Sequence, residues 1–378
     1  MLVYQQINLF LQVELLTAVD YLLMMTTRYI NQIFTAVPES VWSNQDAMPY
    51  FNEAIEALSL PDAELESLLE SVQYFMMGKR TRHTIPDWLT LNHFAERASE
   101  FEKNTDLLLD KLASQILLAT ADSQVSFDAL ITTTSTGNLM PGISYRLAKR
   151  LENRVKPETM MLDLGNVGCT GGIKALNCAS HLDDSFHNIL VVSVELPSTL
   201  VNLKTSRVDV WQGNSTFGDG SSALWVSDRA DVTEQALKIE KIHTIQQAKK
   251  GFDLIKWGYG DYYSFNVEDE STFEQSVRTY LTKALQETAE SWKDNPHWAI
   301  HPAGILLLMR LSRKLGIPRT SMRPTTSHYE QYSNMSSSGI LHIIQSQQDK
   351  LVKDEVINLI TMGAGFNVIY GCLRKVSQ

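Results

Sequence analysis

The segment Gly165-Asn166-Val167-Gly168-Cys169-Thr170-Gly171-Gly172 sets a thiol between an apolar run and a helical one. Glycines there permit a tight turn and close backbone approach, and the N–H groups that open a helix favour thiolate. The same pattern also cradles phosphates or packs two elements closely, so the spacing alone leaves a reactive Cys169, an anion site and plain packing all open. Cys178, inside the helical run, and Cys372, in the last apolar run, read as small core residues. A nucleophilic cysteine needs a base or a cationic partner. Among the nine histidines, His301 ends the short apolar run Trp298-Ala299-Ile300 and precedes Pro302-Ala303-Gly304, the carboxyl edge of a strand where α/β sites gather. His181, His187, His297 and His342 have less telling settings. Asn334, in Tyr332-Ser333-Asn334-Met335-Ser336-Ser337-Ser338, reads as a helix N-cap or as an amide donor. As a donor it would join His301 in stabilising an oxyanion on a thioester carbonyl.

These residues need strands and helices to hold them, and apolar periodicity predicts an α/β chain. Strands are expected over 29–36, 128–134, 160–164, 189–195 and 222–226, with helices over 142–153 and 171–182. After the polar stretch 227–235 a second set follows. It comprises strands over 237–245, 298–301, 356–362 and 367–373 and helices over 272–292, 304–315 and 337–348. The economical division is an N-terminal extension over 1–28, one α/β half over 29–235 and a second over 236–378. The acidic segment around 50–77 reads as a helical insertion after the first strand.

Composition narrows the function classes. At 44% hydrophobic and 20% charged the chain is an ordinary globular one, and its three cysteines cannot form a disulfide framework, which points to a reducing, cytoplasmic setting. A net charge of −10 argues against nucleic-acid binding, which needs a cationic stripe. Residues 1–78 hold ten carboxylates against Arg28 alone. The apolar run 9–25 lacks a preceding basic residue and is interrupted by Glu14 and Asp20, so it fits neither a signal peptide nor a bilayer span. An amphipathic helix docked on the body or a partner is the favoured reading, ahead of membrane-surface contact, for which a basic face is missing. No CxxC, HExxH, Walker loop or convincing GxGxxG occurs, so neither metal nor cofactor is expected.

Five dispersed segments, Thr136-Gly137-Asn138-Leu139-Met140-Pro141-Gly142, Gly168-Cys169, Phe217-Gly218-Asp219-Gly220, His301-Pro302-Ala303-Gly304 and Ser333-Asn334-Met335-Ser336-Ser337, together resemble the type III polyketide synthases, the chalcone and stilbene synthase family. The resemblance runs from about residue 29 to the end. It implies a thiolase-like αβαβα sandwich of two related halves and a homodimer. It further implies Cys169 as the nucleophile that carries the acyl chain, with His301 and Asn334 promoting malonyl decarboxylation and stabilising the enolate. Phe217 and, on a looser match, Phe265 fall at gatekeeper positions. Met140 falls where a methionine reaches into the partner's cavity, and Ser135, Leu200 and Ser336 fall at cavity-shaping positions.

Two departures bear on substrate. Where the family places cations for coenzyme A phosphates, this chain has Ser67, Glu70 and Tyr74, which leaves Lys79, Arg80 and Arg82 as replacements. The expectation is an acyl-coenzyme A or acyl-carrier-protein donor, with this departure favouring the carrier protein or a long aliphatic acyl group held by apolar contacts, and malonyl-coenzyme A as the extender. Ala303 and Ala364 alter the cavity wall, which bears on product rather than on reaction type. Two other readings remain beside an iterative, cyclising synthase giving a resorcinol, phloroglucinol or pyrone. One is a β-ketoacyl synthase III-like enzyme performing a single condensation, and the other a non-catalytic partner-binding protein of the same fold.

Overall fold

The computed structural model describes residues 26–78, 80–121, 123, 125–230, 234–246, 255–258, 264–267, 275, 278–283 and 294–376. The expected N-terminal helix over 9–25 and most of the expected helix over 272–292 lie outside these residues. The chain begins β1 (Tyr29–Ala36), β2 (Ser40–Ser43), α1 (Asn44–Glu56), α2 (Asp62–Phe75), β3 (Thr81–Thr84), α3 (Phe94–Ala119) and β4 (Phe127–Thr134). It continues α4 (Ile143–Leu151), β5 (Val155–Gly165), α5 (Gly171–Ser180), β6 (Asn188–Glu195), α6 (Val208–Thr216) and β7 (Gly220–Ser227). Then follow β8 (Leu237–Gln246), β9 (Ile255–Gly258), β10 (Ser264–Val267), β11 (Trp298–Ile300), α7 (Ile305–Leu315), α8 (Arg323–Tyr332), α9 (Ser336–Gln348), β12 (Val356–Gly363) and β13 (Asn367–Lys375).

The expected elements appear with shifted ends. The strand expected over 160–164 starts at Val155, because β5 is an edge strand paired with β4, and an edge accepts Pro157 and the exposed Lys156 and Glu158. The acidic insertion is α1 and α2; α1 opens on a reciprocal cap between Ser43 and Asp46.

Among the described residues nine strands form one hydrogen-bonded sheet in the order β11-β12-β13-β8-β1-β7-β6-β4-β5. The β1–β8 seam holds only the pairs Tyr29↔Lys238 and Ile30↔Leu237, so the sheet divides there into two leaves. The chain crosses from one leaf to the other between Ser227 and Leu237, the link in which the division at 235/236 falls.

Strand alternation distributes the core over both faces of each leaf. In β6, Leu190, Val192 and Val194 pack with Leu108, Leu109 and Leu112 of α3 on the outside. Ile189 and Val191 point inward, against Leu176 of α5 and Ile340, Leu341 and Ile344 of α9. In β12, Ile357 and Leu359 face the same interior, whereas Ile360 and Met362 meet Leu308 and Leu311 of α7 outside. The layers are therefore αβαβα, with α5 and α9 buried between the leaves. Each fully buried Leu or Ile there contributes about 1.5–3 kcal/mol. Gly172 makes the close approach of α5 and α9 possible: a methyl group there would sit 2.5 Å from the carbonyl oxygen of Ser337. No described helix is long and apolar enough to cross a membrane.

Candidate active site

The two inner helices begin at the same place. β5 ends at Gly165, the chain turns through Asn166 (φ 57°) and Gly168 (φ 64°), and Cys169 sits in a single 3-10 turn directly before α5. The left-handed backbone at 168 is what its glycine permits. The carbonyl oxygen of Cys169 accepts from Thr361 Oγ1 of β12 at 3.2 Å, which ties the thiol's turn to the second leaf. His301 follows β11, and its N–H donates to Ile360 O at 2.8 Å.

Asn334 lies in the link from α8 to α9. Its backbone bridges to Phe217, with Asn334 N donating to Thr216 O and Gly218 N donating to Asn334 O, each at 3.0 Å. Ser333 and Ser336 on either side have φ of 64° and 47°, so this link is held in a sparsely populated conformation by those bonds. The Asn334 Oδ1 accepts from Ser336 N at 2.9 Å, much as an N-cap would, and the amide NH2 is the end left for a bound carbonyl.

Cys169, His301 and Asn334 line one cavity of about 210 Å³, together with Phe217, Ser135, Leu200 and Ser336. Ala303 and Ala364, the two departures in the wall, line it as well. Ser336 Oγ lies 3.6 Å from Cys169 Sγ. Met140 is elsewhere: it is 97% exposed, on the loop between β4 and α4. Phe265 lies in β10, which packs against α6, the helix that ends at Phe217; its side chain is outside the described residues. Lys79 is likewise outside them, and Arg80 is exposed and ion-paired with Glu330.

Arg82 corrects the expectation. Only 2% exposed, it donates to the carbonyl oxygens of Asn214 (2.6 Å), Ser215 (3.0 Å) and Phe217 (3.2 Å), and its guanidinium lies 5.0 Å from the Trp88 ring centroid. Burial lowers it to about 10. It closes the C-terminus of α6 and fixes the turn bearing Phe217, and its burial keeps it from a coenzyme A phosphate.

His301 and Asn334 are buried, and Cys169 is partly so. Enclosure by protein pushes the Cys169 thiol up to about 12, with the Glu195 charge adding to this and the Ser336 hydroxyl opposing it. Burial brings the His301 imidazole down to about 3. Each group alone is therefore neutral at pH 7. Transfer of the proton from sulfur to imidazole would leave the net charge unchanged and create an attractive ion pair.

Residues outside the candidate set support the cavity wall or line it. Glu195 ends β6, fully buried, and accepts from Ser135 N (3.1 Å), Thr136 Oγ1 (3.0 Å) and the Ser337 hydroxyl. Burial raises it to about 7 despite those donors. Tyr74 and Phe75 at the end of α2, Met77 just after it, and Ile305, Leu306 and Leu307 of α7 make an apolar wall, with Tyr74 and Met77 reaching the exterior. A lone carboxylate closing an apolar strand was the available signal for Glu195; the wall gave none, since its two parts lie some 230 residues apart.

Two family profiles match parts of the chain. Residues 264–372 match "Chalcone and stilbene synthases, C-terminal domain", and residues 162–244 match "3-Oxoacyl-[acyl-carrier-protein (ACP)] synthase III". Among solved structures, the C-terminal type III polyketide synthase domain of Steely1, a type I/III hybrid from Dictyostelium, superposes with a TM-score of 0.79 at 20% identity, covering 93% of this chain and 99% of that one. The chain has the fold of the type III polyketide synthases. 1,3,6,8-Tetrahydroxynaphthalene synthase from Streptomyces coelicolor gives the same TM-score of 0.79 at 21% identity, covering 92% and 99%. In this type III synthase fold the cavity lies where the two leaves meet, at the start of both inner helices.

Proposed function

We propose that the chain is a type III polyketide synthase, an acyltransferase that elongates an acyl thioester with malonyl units and cyclises the product. The observation that carries this reading is the joint lining of one cavity by a thiol, an imidazole and a carboxamide. The starter's carbonyl is attacked by the Cys169 sulfur as its proton passes to His301, and the donor thiol leaves with a proton. Malonyl-coenzyme A then loses carbon dioxide; the electrons of the broken C–C bond form a thioester enolate, whose oxygen is met by N–H groups of His301 and Asn334. The enolate carbon attacks the Cys169 thioester, the sulfur is released as thiolate, and the lengthened chain, now on coenzyme A, returns to the thiol. No step calls on a metal or a redox cofactor.

Phe217 sits at the edge of this cavity as a gatekeeper, with Phe265 as its companion. The apolar wall of Tyr74, Phe75, Met77 and Ile305–Leu307 supports an aliphatic starter. For the anionic end of the donor, α2 offers no cation, and Arg80 is one candidate. Leu306, Arg310 and Arg313 share a stripe of α7 that runs outward from the cavity, and Arg310, Arg313 and Lys314 are exposed. These cations support coenzyme A delivery along α7. Exposed Met140 and the half-open edge of β5 support a homodimer through that side.

A β-ketoacyl synthase III-like single condensation is the second reading, favoured by the match over residues 162–244. Intact-protein mass spectrometry with malonyl-coenzyme A and a panel of acyl donors, wild type beside Cys169→Ala, tests both. Acyl adducts confined to wild type, with products heavier by several two-carbon units, are expected. A single added unit favours the second reading, and adducts persisting on Cys169→Ala overturn both.

A further inference from the structure

Behind His301 the interior holds more imidazole than the chemistry above uses. Helix α8 lies along β11, where Thr325 Oγ1 accepts from Ile300 N at 3.1 Å. His328 is three residues further on the same helix face, near enough to His301 for a charge there to act on it. Its Nε2 is in the packing shell of Pro302: a methyl group at Gly339 of α9 would touch Pro302 Cγ at 3.2 Å and His328 Nε2 at 3.3 Å together. Both His328 Nε2 and His301 Nδ1 are buried without a hydrogen-bond partner, on residues 7% and 1% exposed. Two unpaired ring nitrogens so placed call for an explanation, since the large majority of buried polar side-chain atoms are paired.

The column continues away from the site. The rings of His328 and Tyr332 stack at 5.2 Å, and His83 of β3 stacks on the same Tyr332 at 5.5 Å. His342 of α9 meets His328 edge-on at 5.7 Å and Tyr332 at 6.0 Å. His342 Nε2 is 2.9 Å from Ser221 O and His83 Nδ1 is 2.7 Å from Pro38 O, and a carbonyl partner requires the proton on each of those nitrogens. His83 and Tyr332 are half-buried, so the column runs from the cavity wall to the surface.

We propose that His328 is a positioning residue for His301: its Nε2 accepts the Nδ1–H of His301, which fixes the tautomer whose Nε2 takes the Cys169 proton. The contact is open in the free enzyme and closes when His301 becomes charged, as hydrogen bonds in unliganded sites commonly do. The role parallels that of the third member of a nucleophile–base–orienter set, filled by a neutral ring. The titratable and charged groups around His328 are His301 from the loop after β11, His342 from α9, Tyr329 and Tyr332 from α8, and His83 and Arg82 from β3. A charge on His301 or His342 lowers the proton affinity of His328, and burial does so further, which keeps it a neutral acceptor.

This rests on the catalytic reading of Cys169 and His301, and the test separates the two. His328→Phe keeps the stacked ring without its nitrogens; His328→Asn keeps a polar acceptor in a smaller side chain. The rate of Cys169 alkylation by iodoacetamide against pH, which needs no substrate, is read beside kcat and KM for malonyl-coenzyme A decarboxylation. For His328→Phe the expected result is an alkylation profile displaced to higher pH by about one unit and kcat reduced about tenfold or more, with KM within about twofold. His328→Asn is expected to recover part of both. A wild-type alkylation profile in His328→Phe overturns the proposal, including where kcat falls, because loss of packing alone leaves the thiol's titration in place. If His328→Phe does not fold, the profile of His328→Asn decides on the same terms: a smaller displacement supports the role and a wild-type profile overturns it. Absence of turnover in wild type counts against the synthase reading and leaves the alkylation result standing.

Discussion

Glu195 closes β6 with a carboxyl group where the preceding residues are almost all apolar, and three donors converge on it. Burial nevertheless outweighs those bonds and raises it from 4.5 to about 7. A carboxyl raised on folding contributes stability that is fully present below its unfolded value of about 4.5 and is lost as pH climbs through about 7. From that difference the loss is at most about 3 kcal/mol. Glu195→Gln keeps the shape and cannot ionise, so between pH 5 and pH 8.5 wild type should lose stability relative to the variant by up to that amount. Urea unfolding midpoints at the two values measure it, and a pH-independent difference would mean the carboxyl is not held neutral. Asp219, also raised to about 7, is present in both proteins and cancels. At this scale Cys169, His301 and Asn334 were legible because glycine turns, strand ends and polar loops are local patterns. Glu195 was not, since its partners Thr136 and Ser337 lie 59 and 142 positions away.

Among the elements, β3 shows why charge read along a sequence misleads. Thr81-Arg82-His83-Thr84 pairs with β2, and alternation turns Arg82 and Thr84 inward while Thr81 and His83 face half outward. Counting cations placed Arg82 at a phosphate; burial places it on three carbonyls at the end of α6. Arg82→Leu would leave those carbonyls unpaired, at a cost of about 1–3 kcal/mol for each one left buried. The expected outcome is a melting temperature lower by many degrees together with loss of turnover as the Phe217 turn loosens. A raised KM for malonyl-coenzyme A at an unchanged melting temperature would instead restore the phosphate role. The elements of the inner layer were more legible than this one. The apolar runs of α5 and α9 predict buried helices, and Gly171-Gly172 predicts a close contact, but which helix makes that contact depends on Ser337, far along the chain.

At the scale of the whole molecule the sequence shows two α/β sets and a strongly acidic first segment, and both are features of composition and order. How the acid is balanced depends on the fold. Helix α2, whose end at Tyr74 and Phe75 lines the cavity, carries Glu64, Glu66 and Glu70, while residues 303–329, which line it at 303–307 and 329, carry Arg310, Arg313, Lys314, Arg319 and Arg323 with no carboxylate among them. Placement of Arg313 and Lys314 in the last turn of α7 also complements the helix dipole, but Arg310 lies before that turn and gains little from it. From Leu306 at the mouth to Arg313 the helix rises about 10 Å, so the stripe lies where the far end of a donor would emerge. The combined variant Arg310→Glu, Arg313→Glu, Lys314→Glu should raise KM for malonyl-coenzyme A about tenfold or more at low salt, with kcat retained, and the difference should shrink as ionic strength rises. Turnover of the malonyl thioester of N-acetylcysteamine, which carries no phosphate, should be the same in both proteins. Equal KM values for malonyl-coenzyme A would mean the stripe serves the helix alone. A loss confined to acyl-carrier-protein donors would assign it to the acidic face of a carrier.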